Sequence, residues 1–255
     1  MNTFLLIAIP YMAVALAVGG TIVRYRTDRF SYSSQSSQFL ENRTLFWGSN
    51  AWHYGILIVL FAHLAALVAV GAWSSLVASP TRLYVLETIG IGLGLLAFSG
   101  LATLVLRRLL VRRVTAVTSL ADWLLLAVLL AQVGLGLYIA IRYRWGSDWY
   151  THTAVPWLRS LAELHPKPQT MAVLPWTVRL HAIGGFVLLA LVPYTRLVHV
   201  ITYPARYLWR PYQVVIWNRR PARPLPAPGL AGAGAAGRVE GTPEPAGLDS
   251  SRART

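Results

Sequence analysis

The 255-residue chain has no cysteine. That absence removes disulfides, iron–sulfur clusters, thiolate zinc sites and cysteine nucleophiles together. A redox centre here has to use histidine or one of three methionines. Charge is scarce too. Asp, Glu, Lys and Arg make up 13% of the chain, where soluble domains carry roughly 25%. Acidic residues are rarest, nine against 23 Lys and Arg, for a net charge of +14. The first apolar run lacks a preceding basic residue and a distinct small-x-small cleavage site. It reads as a retained span and not a signal peptide.

What the chain does have is apolar length. Hydrophobic residues are 55% of it and the mean hydropathy is +0.50. They come in long blocks, without helical or alternating periodicity, which points to membrane spans. Five runs are long enough at 1.5 Å per residue to cross ~30 Å of hydrocarbon: 3–23, 45–73, 83–106, 120–141 and 176–203. The expected fold is an all-α membrane protein, five transmembrane helices in a bundle. The second and fifth runs exceed the bilayer, so they should tilt or project. Pro10 and Pro193 should kink their spans.

The arginines sit at the ends of the apolar runs, which argues for topology signalling and against nucleic-acid binding. Arg24, Arg26, Arg29 and Arg43 follow span one; Arg107, Arg108, Arg112 and Arg113 follow span three; Arg206, Arg210, Arg219, Arg220 and Arg223 follow span five. The opposite side has Arg82 in a short loop, and Arg142, Arg144, Arg159 and Lys167 in a longer one. The positive-inside rule therefore puts the N-terminus outside and the C-terminus in the cytoplasm. Residues 1–220 form the membrane domain. Residues 221–255, rich in Ala, Gly, Pro and Arg, are too poor in large apolar residues to build a core, so a disordered basic cytoplasmic tail is expected.

Six histidines remain to be placed. His152 and His165 fall in the longer outer loop; His53 and His63 are in span two, His181 and His199 in span five. Ionisable groups in hydrocarbon are costly and need partners. One such histidine is commonly just hydrogen-bonded to a neighbouring helix, but two pairs on two spans point to a shared metal or haem function. Spans two and five are antiparallel, so depth pairs His53 with His199 on the inner side and His63 with His181 on the outer side. The 18 residues from His181 to His199 make five helical turns, so those two should face one way. The ten from His53 to His63 rotate by roughly 80° and rise only ~15 Å, against ~27 Å for the other pair. Tilt and the Pro193 kink must absorb that mismatch.

Two imidazoles per level, with no carboxylate at histidine depth, suit the axial positions of a porphyrin iron better than a zinc or di-iron site. Gly55, Ala62, Ala65, Ala66, Gly184 and Gly185 offer room for a flat macrocycle, or close helix packing. Arg107, Arg108 and Arg196 are candidate propionate partners on the inner side; Arg179 and Arg82 stand at the outer level. Arg196, inside a span, needs an anion or a water cavity. The competing classes are a histidine-based metal transporter, active without any haem spectrum, and a structural anchor with packing histidines.

The blocks Ser49-Asn50-Ala51-Trp52-His53-Tyr54-Gly55-Ile56-Leu57 with His63, and Arg179-Leu180-His181 through Pro193-Tyr194-Thr195-Arg196-Leu197-Val198-His199 to Pro204, Tyr207, Arg210 and Tyr212-Gln213-Val214, carry a resemblance. So do Ser36-Ser37-Gln38, Ala121-Asp122, Gln132 and Gly136-Leu137. Over roughly residues 1–218 the sequence resembles the gamma subunit of respiratory nitrate reductase, a membrane cytochrome b. The resemblance implies two b-type haems and a bacterial or archaeal cell membrane. It implies oxidation of menaquinol or ubiquinol near the outer haem, and electron flow through the inner haem to a cytoplasmic iron–sulfur beta subunit. A molybdenum alpha subunit would then reduce nitrate, for which this chain has no residues of its own. The resemblance matches the family's quinol-site lysine to Arg82, which with His63 is the candidate quinol contact. Arginine keeps the charge and donors but does not release its proton. Similar di-haem subunits serve sulfite-reductase-linked and heterodisulfide-type complexes; the second block favours nitrate reductase.

Overall fold

The computed structural model describes residues 3–27 and 43–200. The expected tail at 221–255, the Ser36–Gln38 stretch and the block from Pro204 to Val214 lie outside the described residues.

Five helices are long and apolar enough to cross a membrane. They are α1 (Leu5–Thr27), α2 (Arg43–Val68), α4 (Pro80–Leu110), α6 (Leu120–Arg142) and α10 (Trp176–Leu191) with its 3-10 extension to Tyr194. Short helices fill the connections: α3 (Val70–Val77), α5 (Arg112–Thr115), α7 (Gly146–His152), α8 (Ala154–Ala162) and α9 (Gln169–Ala172). α1 passes through Pro10 without ending. α4 starts with Pro80 in its first turn, where a missing N–H costs nothing. α6 starts with a capping box: Ser119 Oγ accepts the Asp122 N–H and the Asp122 carboxylate accepts the Ser119 N–H.

Two spans differ from expectation. The second does not continue as one helix to residue 73. It breaks at Ala69 (φ −106°, ψ 53°). Arg159 Nη2 donates to the carbonyls of Leu67 (2.8 Å) and Val68 (3.4 Å), supplying partners at the helix end. The fifth is not a continuous α-helix to residue 203. It turns into a 3-10 segment, Val192–Tyr194, where Pro193 brings no N–H to an α-helical ladder. Thr195 is then extended (φ −128°, ψ −176°), and a second 3-10 segment, Arg196–Val200, follows. The five-turn argument for His181 and His199 therefore fails, because they do not share one helix.

The helices pack in the order α2–α4–α6–α10–α1. Small residues set the closest approach. A Cβ on Gly55 would stand 2.7 Å from the Ala97 nitrogen and the Leu93 carbonyl, and one on Gly100 would meet the Trp52 backbone nitrogen. α2, which carries His53 and His63, and α10, which carries His181, are not packed along each other. The connection after α6 is folded, not merely a loop. Trp157, 1% exposed, donates its indole N–H to the Leu6 carbonyl (3.1 Å) and meets Phe186 edge-to-face. Around it Leu6, Ile139, Ala154, Leu161, Met171, Val178 and Ile183 form a buried core. α7 to α9 thus cap one end of the bundle, and the arginine-bearing helix ends lie at the other.

Candidate functional site

His53 on α2 and His199 on the second 3-10 segment face each other, ring centroids 6.2 Å apart at 70°. Two imidazoles bound at about 2 Å on opposite sides of one metal ion have ring centres roughly 6 Å apart. The expected inner pair is therefore brought together at a spacing that accommodates an ion between the rings. The backbone leaves the regular helix at Pro193–Thr195, between His181 and His199.

The nitrogens are oriented to match. His53 Nδ1 lies 2.7 Å from the Ser49 carbonyl and 3.1 Å from Ser49 Oγ. His63 Nδ1 lies 2.8 Å from the Val59 carbonyl, and His199 Nδ1 lies 2.6 Å from the Arg196 carbonyl. A carbonyl only accepts, so Nδ1 carries the proton in all three. A neutral ring then keeps its lone pair on Nε2, the arrangement typical of metal-ligating histidine.

His181 is the exception. Its Nδ1 is buried with no hydrogen-bond partner, the kind of orphan that calls for an explanation beyond the chain itself. It is within electrostatic reach of His63. Gln132 Nε2 donates to the His181 carbonyl (2.8 Å), fixing the backbone there. Gly136 clears space for the ring: a Cβ would stand 2.8 Å from His181 Cε1. Residue-by-residue reading missed this clearance, because Gly136 is on α6 and pairs with the ring only through folding. Gly55 instead serves the α2–α4 contact, and a Cβ on Gly184 would meet Gln132 Oε1. Both glycines are accounted for by helix packing. Among the described residues no three His, Asp or Glu side chains gather as a metal-holding group.

Arg196 has the anion its depth demands. Its Nε and Nη2 donate to Asp122 Oδ1 (2.6 Å) and Oδ2 (3.0 Å), a two-pronged ion pair with a nearly buried carboxylate. Arg108 donates to Thr118 Oγ1 (3.1 Å) and lies within electrostatic reach of Asp122, Arg196 and Arg107, itself buried. Four charged groups thus cluster at the His53–His199 end. Arg82 donates Nε to the Leu76 carbonyl and Nη2 to the Ser75 carbonyl, both 2.9 Å, closing the turn between α3 and α4. His152 and His165 belong to the cap: His152 is 3.9 Å from Asp148, and His165 Nδ1 donates to the Glu163 carbonyl (2.8 Å). At the capped end, Tyr150 of α7 meets His63 edge-to-face, centroids 5.5 Å apart at 74°.

These features define a multi-pass helical membrane protein in which His53 and His199 face each other and His181 lies within electrostatic reach of His63. Residues 2–218 match the nitrate reductase gamma subunit family, and the chain belongs to it. It is 35% identical over 217 residues to the nitrate reductase gamma chain of Bacillus subtilis, covering 83% of this chain and 95% of that one. It is 32% identical over 222 residues to the respiratory nitrate reductase 2 gamma chain of Escherichia coli, covering 84% and 96%. The nitrate reductase-like protein NarX of Mycobacterium tuberculosis is 32% identical over 217 residues, 83% of this chain but 33% of that longer protein.

Proposed function

We propose that the chain is the membrane cytochrome b subunit of a nitrate reductase complex, with one b-type haem between His53 and His199 and a second between His63 and His181. The observation that carries the reading is the 6.2 Å approach of His53 and His199, with both Nδ1–H groups tied to backbone carbonyls. Bound haem supplies one-electron chemistry, so two haems at two depths make a route across a low-dielectric layer.

The chain's own residues hold that route in place. The Nδ1–H bonds of His53, His63 and His199 fix the tautomers of those three rings and raise the basicity of their Nε2. Gly136 and Gln132 seat His181. Arg107 and Arg108 stand at the end of α4 beside the inner pair and are suited to propionates. Arg196 is already engaged by Asp122, so it orients the His199 segment as well as adding positive charge.

Quinol, menaquinol or ubiquinol, binds on the outer side near His63 and Arg82. It gives up two electrons and two protons, the protons to the outside. A guanidinium has five N–H donors; two of Arg82's serve the α3–α4 turn, and others are available in kind to a quinone oxygen. Electrons leave on the cytoplasmic side to an iron–sulfur subunit, which feeds a molybdenum subunit where nitrate is reduced. The +14 net charge and cytoplasmic arginines suit docking to that partner. The reduced-minus-oxidised visible spectrum of the purified chain tests this. A b-type band with two haems per chain is expected; a chain with no such band refutes the cofactors and the electron route together.

A further inference from the structure

α7 is pinned from two sides at a single residue, Ser147. Trp73 Nε1, on α3, donates to the Ser147 carbonyl (2.9 Å), and the Ser147 N–H donates to Glu87 Oε1 of α4 (2.8 Å). The chain enters α7 through Trp145 in the left-handed region (φ 64°), which a bulky side chain adopts only when its surroundings dictate it. One turn after the clamp, Tyr150 lays its ring edge-to-face on His63, and its hydroxyl stands 3.5 Å from the His63 carbonyl. Burial pushes the Tyr150 phenol above its ordinary pKa, so it stays neutral.

The four histidines are not steadied alike. His53 has two partners on Nδ1, the Ser49 carbonyl and hydroxyl. His63 has only the Val59 carbonyl there. The rotation of an imidazole about its Cβ–Cγ bond is broad, and one hydrogen bond leaves part of that range open. The tyrosine ring closes it from the side.

We propose that Tyr150 is a positioning residue for the outer haem: held by the Trp73–Ser147–Glu87 clamp, it sets the plane of the His63 imidazole and thereby the electronic state of the iron bound there. This inference rests on the di-haem reading above. The aromatic wall does the work, and the hydroxyl is secondary.

The test uses the full chain, with the outer haem defined as the one lost in His181→Ala. In Tyr150→Leu, the highest g value of the outer haem's low-spin ferric resonance and its midpoint potential should both move, while the inner haem's stay put. Tyr150→Phe keeps the ring and should restore both values. Trp73→Phe loses the indole N–H with part of the ring while keeping an aromatic side chain, and should give a smaller displacement of the same sign. Unchanged outer-haem signals in Tyr150→Leu overturn the proposal, as do equal shifts in both haems, which would mean a general distortion. An unsubstituted chain without any b-type band overturns the di-haem reading itself, so the two failures are distinguishable.

Discussion

The two ends of the bundle hold their histidines by different means. At the arginine end the backbone of the fifth span breaks at Pro193 and Thr195, and an ion pair joins the burial of Pro193 and Val198 in holding it. The Asp122–Arg196 ion pair ties the 3-10 segment carrying His199 to the start of α6. At the capped end the backbone is regular α-helix through His63 and His181, and apolar packing with shape does the holding. Trp157, Leu6, Ile139 and Ile183 form the core, Gly136 clears the ring, and Tyr150 walls the other side. A polar tether tolerates an irregular chain, whereas a packed core demands a regular one.

The sharpest way to break the comparison is to remove ligands. His53→Ala and His199→Ala should each delete the same haem, and His63→Ala and His181→Ala the other. Each variant should keep about half the haem per chain and lose quinol-driven electron delivery. Haem quantitation with low-temperature spectra checks the pairing. If His53→Ala and His181→Ala delete the same haem, the assignment by depth is wrong.

Two glycines give the next largest effect and separate the ends. Gly100→Ala places a methyl against the Trp52 backbone, which can yield only by moving α2 off α4. Overpacking of that kind costs about 1–3 kcal/mol or more, and the displacement should weaken haem retention at the His53 end on heating. Gly136→Ala drives a methyl to 2.8 Å from His181 Cε1. A side-chain ring can swing away, so the chain should stay folded while the outer haem's spectrum and potential shift and the inner haem's do not.

Much of this contrast was legible in the sequence, and the part that was not has a common cause. The five spans, the His53–His199 meeting and the need of Arg196 for an anion follow from apolar length, depth and the cost of an unpaired ion in hydrocarbon. Asp122 was visible at the start of span four, but its pairing with Arg196 spans 74 positions, and a one-dimensional pattern does not encode it. Likewise Gly136 reads as one small residue among many until His181 is laid against it. The cap escaped notice because 143–175 is broken by Gly146, Pro156, Pro166, Pro168 and Pro175. Its short helices are stabilised by burial of Trp157 and Met171 and not by their own length. The 3-10 break was foreshadowed by Pro193, but the extended Thr195 was not.

The smallest predicted effect tests whether charge, and not helix capping, secures the arginine end. Asp122 does two things: its carboxylate accepts the Ser119 N–H within the capping box, and it holds Arg196. Asp122→Asn keeps an acceptor for the cap and loses the charge, leaving Arg196 in place without its counter-ion. Charge-assisted hydrogen bonds contribute about 1.5–3 kcal/mol each, and Arg196 is about one-third exposed, so solvent screening should hold the loss to about 2 kcal/mol. That loss should fall on the His199 segment and show as earlier release of the inner haem in a thermal ramp. Ser119→Ala removes one cap acceptor, costs about 1 kcal/mol and leaves the ion pair intact, so both haems should be released in their usual order. If Ser119→Ala loosens the inner haem as much as Asp122→Asn does, the start of α6 is held by its cap and the ion pair adds little. If only Asp122→Asn does so, the irregular end of the bundle is secured by electrostatics, as its broken backbone requires.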